Sequence, residues 1–105
     1  MGAGALRHRI TIERVTETQD SFGGTVTTWP ILATMWASVE PLSGREQLLA
    51  QQVQAEVTHR VRVRYVAGVT AKMRITFGDR HFEILSVINP EERNRELELM
   101  CKELV

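Results

Sequence analysis

The sequence predicts a mainly β protein: a small antiparallel β-barrel of five to seven strands, with one short α-helix at about 43–54 and a long hairpin loop at about 16–28. Three observations carry that prediction. Several segments alternate apolar and polar residues with a period of two, as half-buried strands do. Only one segment joins a helix start signal to apolar residues at helical spacing. Clusters of Gly, Asp, Asn and Pro punctuate the chain, which suits strands joined by turns. The 105 residues, 43% hydrophobic and 25% charged, make a single domain over 1–105 with room for one core.

The elements follow in chain order. Leu6, His8, Ile10 and Ile12 fall on one face of a first strand; Arg7, Arg9, Thr11 and Glu13 fall on the other. From Thr16 to Thr28 the chain turns polar around Asp20-Ser21-Phe22-Gly23-Gly24, whose adjacent glycines permit the positive φ of a tight turn. This stretch reads as a long hairpin or a mobile loop. Val26 to Val39, rich in Thr, Val and Trp, reads as strand, with Pro30 confining part of it to an edge or a bulge. Ser43-Gly44-Arg45-Glu46 is a capping box, in which Ser43 accepts the Glu46 N–H and Glu46 reaches back. Behind it Leu48, Leu49, Gln52 and Val53 give a narrow apolar stripe.

The clearest strand comes next, with Val57, His59, Val61, Val63 and Tyr65 on one face and Thr58, Arg60, Arg62 and Arg64 on the other. Ala67-Gly68 turns the chain, Met73 to Phe77 is a short strand, Gly78-Asp79 a turn, and Arg80 to Ile88 another strand. Asn89-Pro90 opens a further loop. Over 95–103, Leu97, Leu99 and Cys101 alternate as in a strand, while Leu97, Met100, Cys101 and Leu104 also suit a helix. The need to close a barrel favours the strand.

Charge and cysteine content narrow the function. Lys plus Arg and Asp plus Glu are 13 each, so the net charge is zero and no global field draws the chain to nucleic acid or acidic membranes. The single cysteine, Cys101, allows no intrachain disulfide. The most apolar stretch, Pro30 to Val39, is interrupted by Thr34 and Ser38 and is too short for a membrane span. No apolar run follows the first arginines and Leu6 stands where myristoylation wants Ser or Thr, so neither signal peptide nor lipid anchor is expected.

Catalytic chemistry finds little to use. His8, His59, His81 and Cys101 have no metal-ligand spacing, and a histidine on an apolar strand face is usually a hydrogen-bonded core residue. No glycine-rich elbow precedes a serine, and Cys101 sits in a terminal segment beside Lys102 and Glu103. The carboxylate pairs Glu17/Asp20 and Glu91/Glu92 lie in solvated loops that do not raise a carboxyl pKa. The expectation is a protein that is not an enzyme, with no catalytic residue, no metal site and no cofactor.

Binding is the better prospect. Arginine outnumbers lysine 11 to 2, favouring planar bidentate contacts. Arg60, Arg62 and Arg64 form a stripe that would serve a small nucleic-acid-binding barrel, but Tyr65, the nearest aromatic, falls on the opposite face. Otherwise these arginines pair with Glu96 and Glu98 across the sheet, or with a neighbouring subunit. Arg45 at the head of the helix joins them as a candidate subunit or partner contact. Phe22 is either covered by its own loop or an anchor for a partner, and Trp29 and Trp36 suit either core or interface.

The order of these features resembles the head–tail joining proteins of tailed bacteriophages and prophages, also called head closure, stopper or connector proteins. The resemblance runs from Leu6 to Glu103. It is carried by Leu6-Arg7-His8-Arg9-Ile10-Thr11-Ile12-Glu13, Asp20-Ser21-Phe22-Gly23-Gly24, Trp29, Trp36-Ala37-Ser38-Val39-Glu40-Pro41, Ser43-Gly44-Arg45-Glu46 and His59-Arg60-Val61-Arg62-Val63-Arg64-Tyr65, then Met73-Arg74-Ile75, Phe82-Glu83-Ile84 and Leu97-Glu98-Leu99. It implies a structural virion protein of the phage neck, assembled in the host bacterial cytoplasm. Twelve copies would form a ring beneath the portal and its adaptor and receive the tail-completion proteins, the free chain being a monomer or weak oligomer. The loop at 16–28, with Asp20, Ser21, Phe22, Gly23 and Gly24 at its centre, would reach into the channel and help hold back the packaged double-stranded DNA. Zero net charge suits a channel that must later release DNA. No membrane enters this expectation.

Overall fold

In the computed structural model, which describes residues 6–52 and 56–104, six strands close into an antiparallel barrel and two more form a separate hairpin. The elements are β1 (His8–Glu13), β2 (Thr16–Gln19), β3 (Thr25–Thr28), β4 (Ile31–Pro41), α1 (Gly44–Gln51), β5 (His59–Arg64), β6 (Arg74–Phe77), β7 (Arg80–Ile88) and β8 (Glu96–Leu104). Around the barrel the order is β1-β4-β5-β8-β7-β6. Thr11↔Thr76, Ile12↔Ile75 and Glu13↔Arg74 join β6 back to β1. Closure leaves the barrel without a free edge.

The period of two sets what lies inside. Ile10, Ile12, Val61, Val63, Ile75, Phe82, Ile84, Leu99 and Cys101 are almost wholly removed from water, and Ala37 and Leu97 complete the cluster. Residues between them face out, so each strand holds the core with one face and meets solvent with the other. The terminal segment settles as strand: β8 pairs with β5 through Val61↔Leu99 and with β7 through Ile84↔Cys101. Helix in that place would leave β5 and β7 each with one open edge.

Three expectations are corrected. The stretch from Val26 to Val39 is not one strand, because β3 ends at Thr28 and β4 begins at Ile31. Pro30 has no N–H to donate, but its carbonyl accepts from Arg14 N at 2.9 Å. Where Glu13↔Ile31 closes the barrel register with a shift, both strands leave the barrel and re-pair as the hairpin. Next, Tyr65 is not on the inner face: β5 ends at Arg64, and the residue is 40% exposed.

The third correction concerns α1. The cap forms, with Glu46 N–H donating to Ser43 Oγ at 3.3 Å and the Ser43 hydroxyl donating to Glu46 Oε1 at 3.0 Å. The helix is shorter than expected, ending at Gln51 before a turn at Gln52; positions 53–54 lie outside the described residues. Leu48 and Leu49 of the expected apolar stripe do not reach the core, being 64% and 55% exposed. The chain is tied down on either side instead, by Leu42 and Val57, both buried, and by Leu42 N–H donating to Thr58 O at 3.0 Å.

Candidate functional site

The hairpin β2–β3 is the first candidate. Four register pairs, from Thr16↔Thr28 to Gln19↔Thr25, hold it together, and every residue of both strands is exposed. Its tip is built by Asp20. The Asp20 Oδ1 accepts from Phe22 N–H at 2.9 Å and from Gly24 N–H at 2.8 Å, an Asx-type turn. Gly23 turns the chain at φ 82°, and a Cβ at Gly24 would stand 2.9 Å from Asp20 Oδ2. The two glycines are thus required for different reasons, one by φ and one by space. Phe22 projects from this tip 95% exposed, so the loop does not fold back to cover it. Glu17 and Asp20 are the only charges from Thr16 to Thr28, which makes the hairpin acidic.

The arginine stripe is the second candidate. Val61 and Val63 point inward, which sends Arg60, Arg62 and Arg64 outward. Arg60 Nη2 meets Glu46 Oε2 at 2.8 Å, so the stripe is tied to α1 as well as to the sheet. Hydrogen bonds from the Ser43 hydroxyl and then from Arg60 hold the Glu46 carboxyl below its usual range. Arg62 lies opposite Glu98, with Nε 3.6 Å from Oε1, and Arg64 lies opposite Glu96. Of the pairs the sequence suggested, Arg62 meets Glu98, whereas Arg60 lies opposite Met100 and turns to α1 instead. Arg60 Nε and Arg62 Nε are nevertheless buried without a hydrogen-bond acceptor. Arg45 is exposed in the first turn of α1.

The sequence missed an aromatic neighbour of that stripe. Trp36 on β4 lies opposite Arg9, and the Arg9 guanidinium stands 5.4 Å from the centre of its ring. Because Ala37 turns inward against Val63, Trp36 faces outward on the same wall as the arginines, 52% exposed. No local signal could have found this; it needs the β1–β4 register. Trp29 is half-buried and stacks on the Arg74 guanidinium at 3.9 Å, with Arg74 Nε donating to Glu13 Oε1 at 3.0 Å.

The groups considered for catalysis have structural roles. Cys101 is buried, and burial pushes its thiol well above its ordinary value. His8 packs against Phe77 and His81 meets the Thr76 hydroxyl at 3.1 Å. His59 Nδ1 bonds the Thr58 hydroxyl at 2.8 Å, and its ring meets the Phe82 edge. Its other nitrogen faces Arg80 rather than the backbone or a carboxylate. Burial first, then the Arg80 charge, lowers the His59 pKa, with Glu103 opposing. Among the described residues no three His, Cys, Asp or Glu side chains could together hold a metal ion.

Comparison with known proteins places this geometry. The family model of the phage head completion protein matches residues 1–104. Head completion protein gp7 of Enterobacteria phage HK97 is 32% identical over 107 residues, covering 97% of this chain and 96% of the relative. The solution structure of protein SF1141 from Shigella flexneri 2a superposes with a TM-score of 0.75 at 32% identity, over 98% of this chain and 96% of that one. A chain in the virion of a native gene transfer agent particle shares the fold, with a TM-score of 0.62 at 21% identity over 95% and 96% of the two chains.

Proposed function

The chain belongs to the phage head completion protein family, a structural component of the virion at the head–tail junction and not an enzyme, and on that premise we propose that copies of it form a ring that closes the DNA channel. The ring, of twelve copies, sits beneath the portal and its adaptor and receives the tail-completion proteins. The hairpin β2–β3 reaches into the channel, while Arg45, Arg60, Arg62 and Arg64 contribute contacts to neighbouring subunits or partners. The free chain is a monomer or weak oligomer, because a ring that closed in solution would assemble away from the head.

The observation that carries this reading is the hairpin: a hydrogen-bonded arm wholly exposed along both strands, with Phe22 at its end. Such an arm adds nothing to the core of its own chain, and its Thr-rich strands suit a protein or water-filled surrounding. Its charges, Glu17 and Asp20, are of the same sign as DNA phosphate. An arm of this sign obstructs DNA without gripping it, since tight binding rests on neutralising phosphates with Lys and Arg.

Replacing Asp20 to Thr25 with a short turn tests the role. The barrel should remain folded, because shortening a surface loop costs little. Particles carrying the change should lose packaged DNA or fail to join tails, and full infectivity would remove the closing role. Sedimentation of the free protein at micromolar concentration tests assembly, and a stable dodecamer without partners would contradict it. Nucleic-acid binding through Arg60, Arg62 and Arg64 is the weaker reading, since Arg60 and Arg62 are engaged with Glu46 and Glu98. Affinity for DNA that falls steeply with salt in the isolated protein would restore it.

A further inference from the structure

Three features far apart in the sequence meet at one place on the barrel. A cleft of about 560 Å³ opens between Leu6, Arg64 and the turn that runs from Pro90 to Glu96. Arg93 and Arg95 line it from that turn. Its cations exceed its anions. Arg93 is paired with Glu91 at 2.6 Å, and Glu96 is engaged within the protein. Arg64 and Arg95 are exposed and have no carboxylate partner among the described residues.

The rim of the cleft is strained. Glu91, Glu92 and Asn94 hold φ of 55°, 55° and 56°, left-handed backbone that residues with a Cβ adopt rarely. Asn89 fixes the turn: its Oδ1 accepts from Asn94 N–H at 3.2 Å, and its Nδ2 donates to Asn94 Oδ1 at 2.7 Å. The short helical turn at Pro90–Glu92 buries no residue, so no core packing asks for this conformation. What the strained turn does accomplish is to set Arg93 and Arg95 at the cleft that Arg64 enters from β5.

We propose that this cleft is a binding site for an extended acidic peptide segment of a partner protein. Carboxylates of the segment bridge Arg64 and Arg95, whose planar guanidinium groups match them bidentately. An apolar side chain between those carboxylates rests on Leu6 and Pro90. A nucleic acid fits worse, because among the described residues no aromatic ring lines the cleft for a base to stack on. The site extends the neck reading by giving one partner a surface, and it stands separately because it is tested on the free chain.

Backbone amide shifts of the isotope-labelled protein, titrated with a capped Glu-Leu-Glu-Leu-Glu peptide, provide the test. Saturable shifts confined to residues 6, 64, 89 and 91–96 are expected, with the Gln-Leu-Gln-Leu-Gln counterpart about tenfold weaker or worse. Arg64→Ala and Arg95→Ala should each weaken the acidic peptide about tenfold while leaving the melting temperature unchanged, and Arg9→Ala should have no effect. Equal binding of the two peptides, indifference to both arginine substitutions, or shifts elsewhere would overturn the site. A stronger response to an oligothymidylate would assign it to nucleic acid, and shifts that grow with protein concentration alone would assign it to a second copy; either overturns the proposal.

Discussion

The barrel wall and the hairpin β2–β3 are both antiparallel β-structure, joined through Glu13–Arg14 and Pro30–Ile31, yet they are held by different forces. In the wall every strand sends residues to a common interior, where nine side chains are nearly inaccessible to water. A fully buried Val, Leu, Ile or Phe contributes about 1.5–3 kcal/mol. In the hairpin all eight strand residues are exposed, and ladder hydrogen bonds, the Asp20 turn and the Thr28 hydroxyl donating to Thr16 O hold it. A lone two-stranded hairpin is marginal in water. Backbone pairing therefore gives both regions their shape, but only the wall has a hydrophobic reason to stay in it.

Substitutions can break or sharpen that contrast. The largest effect is expected at Phe82, wholly buried among the inner residues of the barrel. Phe82→Ala should lower stability by about 3–5 kcal/mol, measured by denaturant unfolding. A loss near that of a surface site would mean that the barrel interior does not carry the fold.

The Ser43 cap should give a smaller and more local effect. Ser43→Ala removes the acceptor for Glu46 N–H, which costs a helix about 0.5–2 kcal/mol. Since Leu48 and Leu49 do not pack on the core, the loss should appear as faster amide exchange over 46–51 while the barrel melts nearly as before. A full drop in global stability would show that α1 is coupled to the wall after all.

Acid should distinguish the two regions next. The His59 pKa in the folded protein lies below the unfolded value of 6.5, so the unfolded chain takes up the proton first. The stability linked to this group is complete above pH 6.5 and is lost as pH falls through the lowered folded value. The carboxyl of Glu103, held below its usual range by the Arg80 hydrogen bond, adds loss at lower pH with the same sign. His59→Gln should remove the near-neutral part of that dependence in thermal melts, and an unchanged pH profile would refute it.

The smallest effect belongs to the hairpin. Phe22→Ala should change stability by no more than about 0.5 kcal/mol, because its ring is already in water. Limited proteolysis should cut near Phe22 before it cuts the barrel. Resistance at that site in the free protein would sharpen the comparison the other way, by showing that the arm is rigid without a partner.

How much of this was legible in the residues depends on range. Faces were legible: Ile10 and Ile12, or Val61 and Val63, announce their inward side within a single strand, because side-chain direction alternates at every residue. The Ser43 cap and the Asp20–Gly24 turn were legible for the same reason, each being a contact among neighbours in sequence. The break at Trp29–Pro30 was half legible, since Pro30 signalled an irregularity but not that both strands would leave the barrel there. Leu48 and Leu49 misled, because helical spacing says which side chains share a face and not whether anything lies beneath them. Trp36 beside Arg9, Arg60 against Glu46 and the cleft between Leu6, Arg64 and the Pro90 turn needed the folded chain. Each depends on which strands are neighbours and in what register, and that is fixed only when distant segments bury one core together.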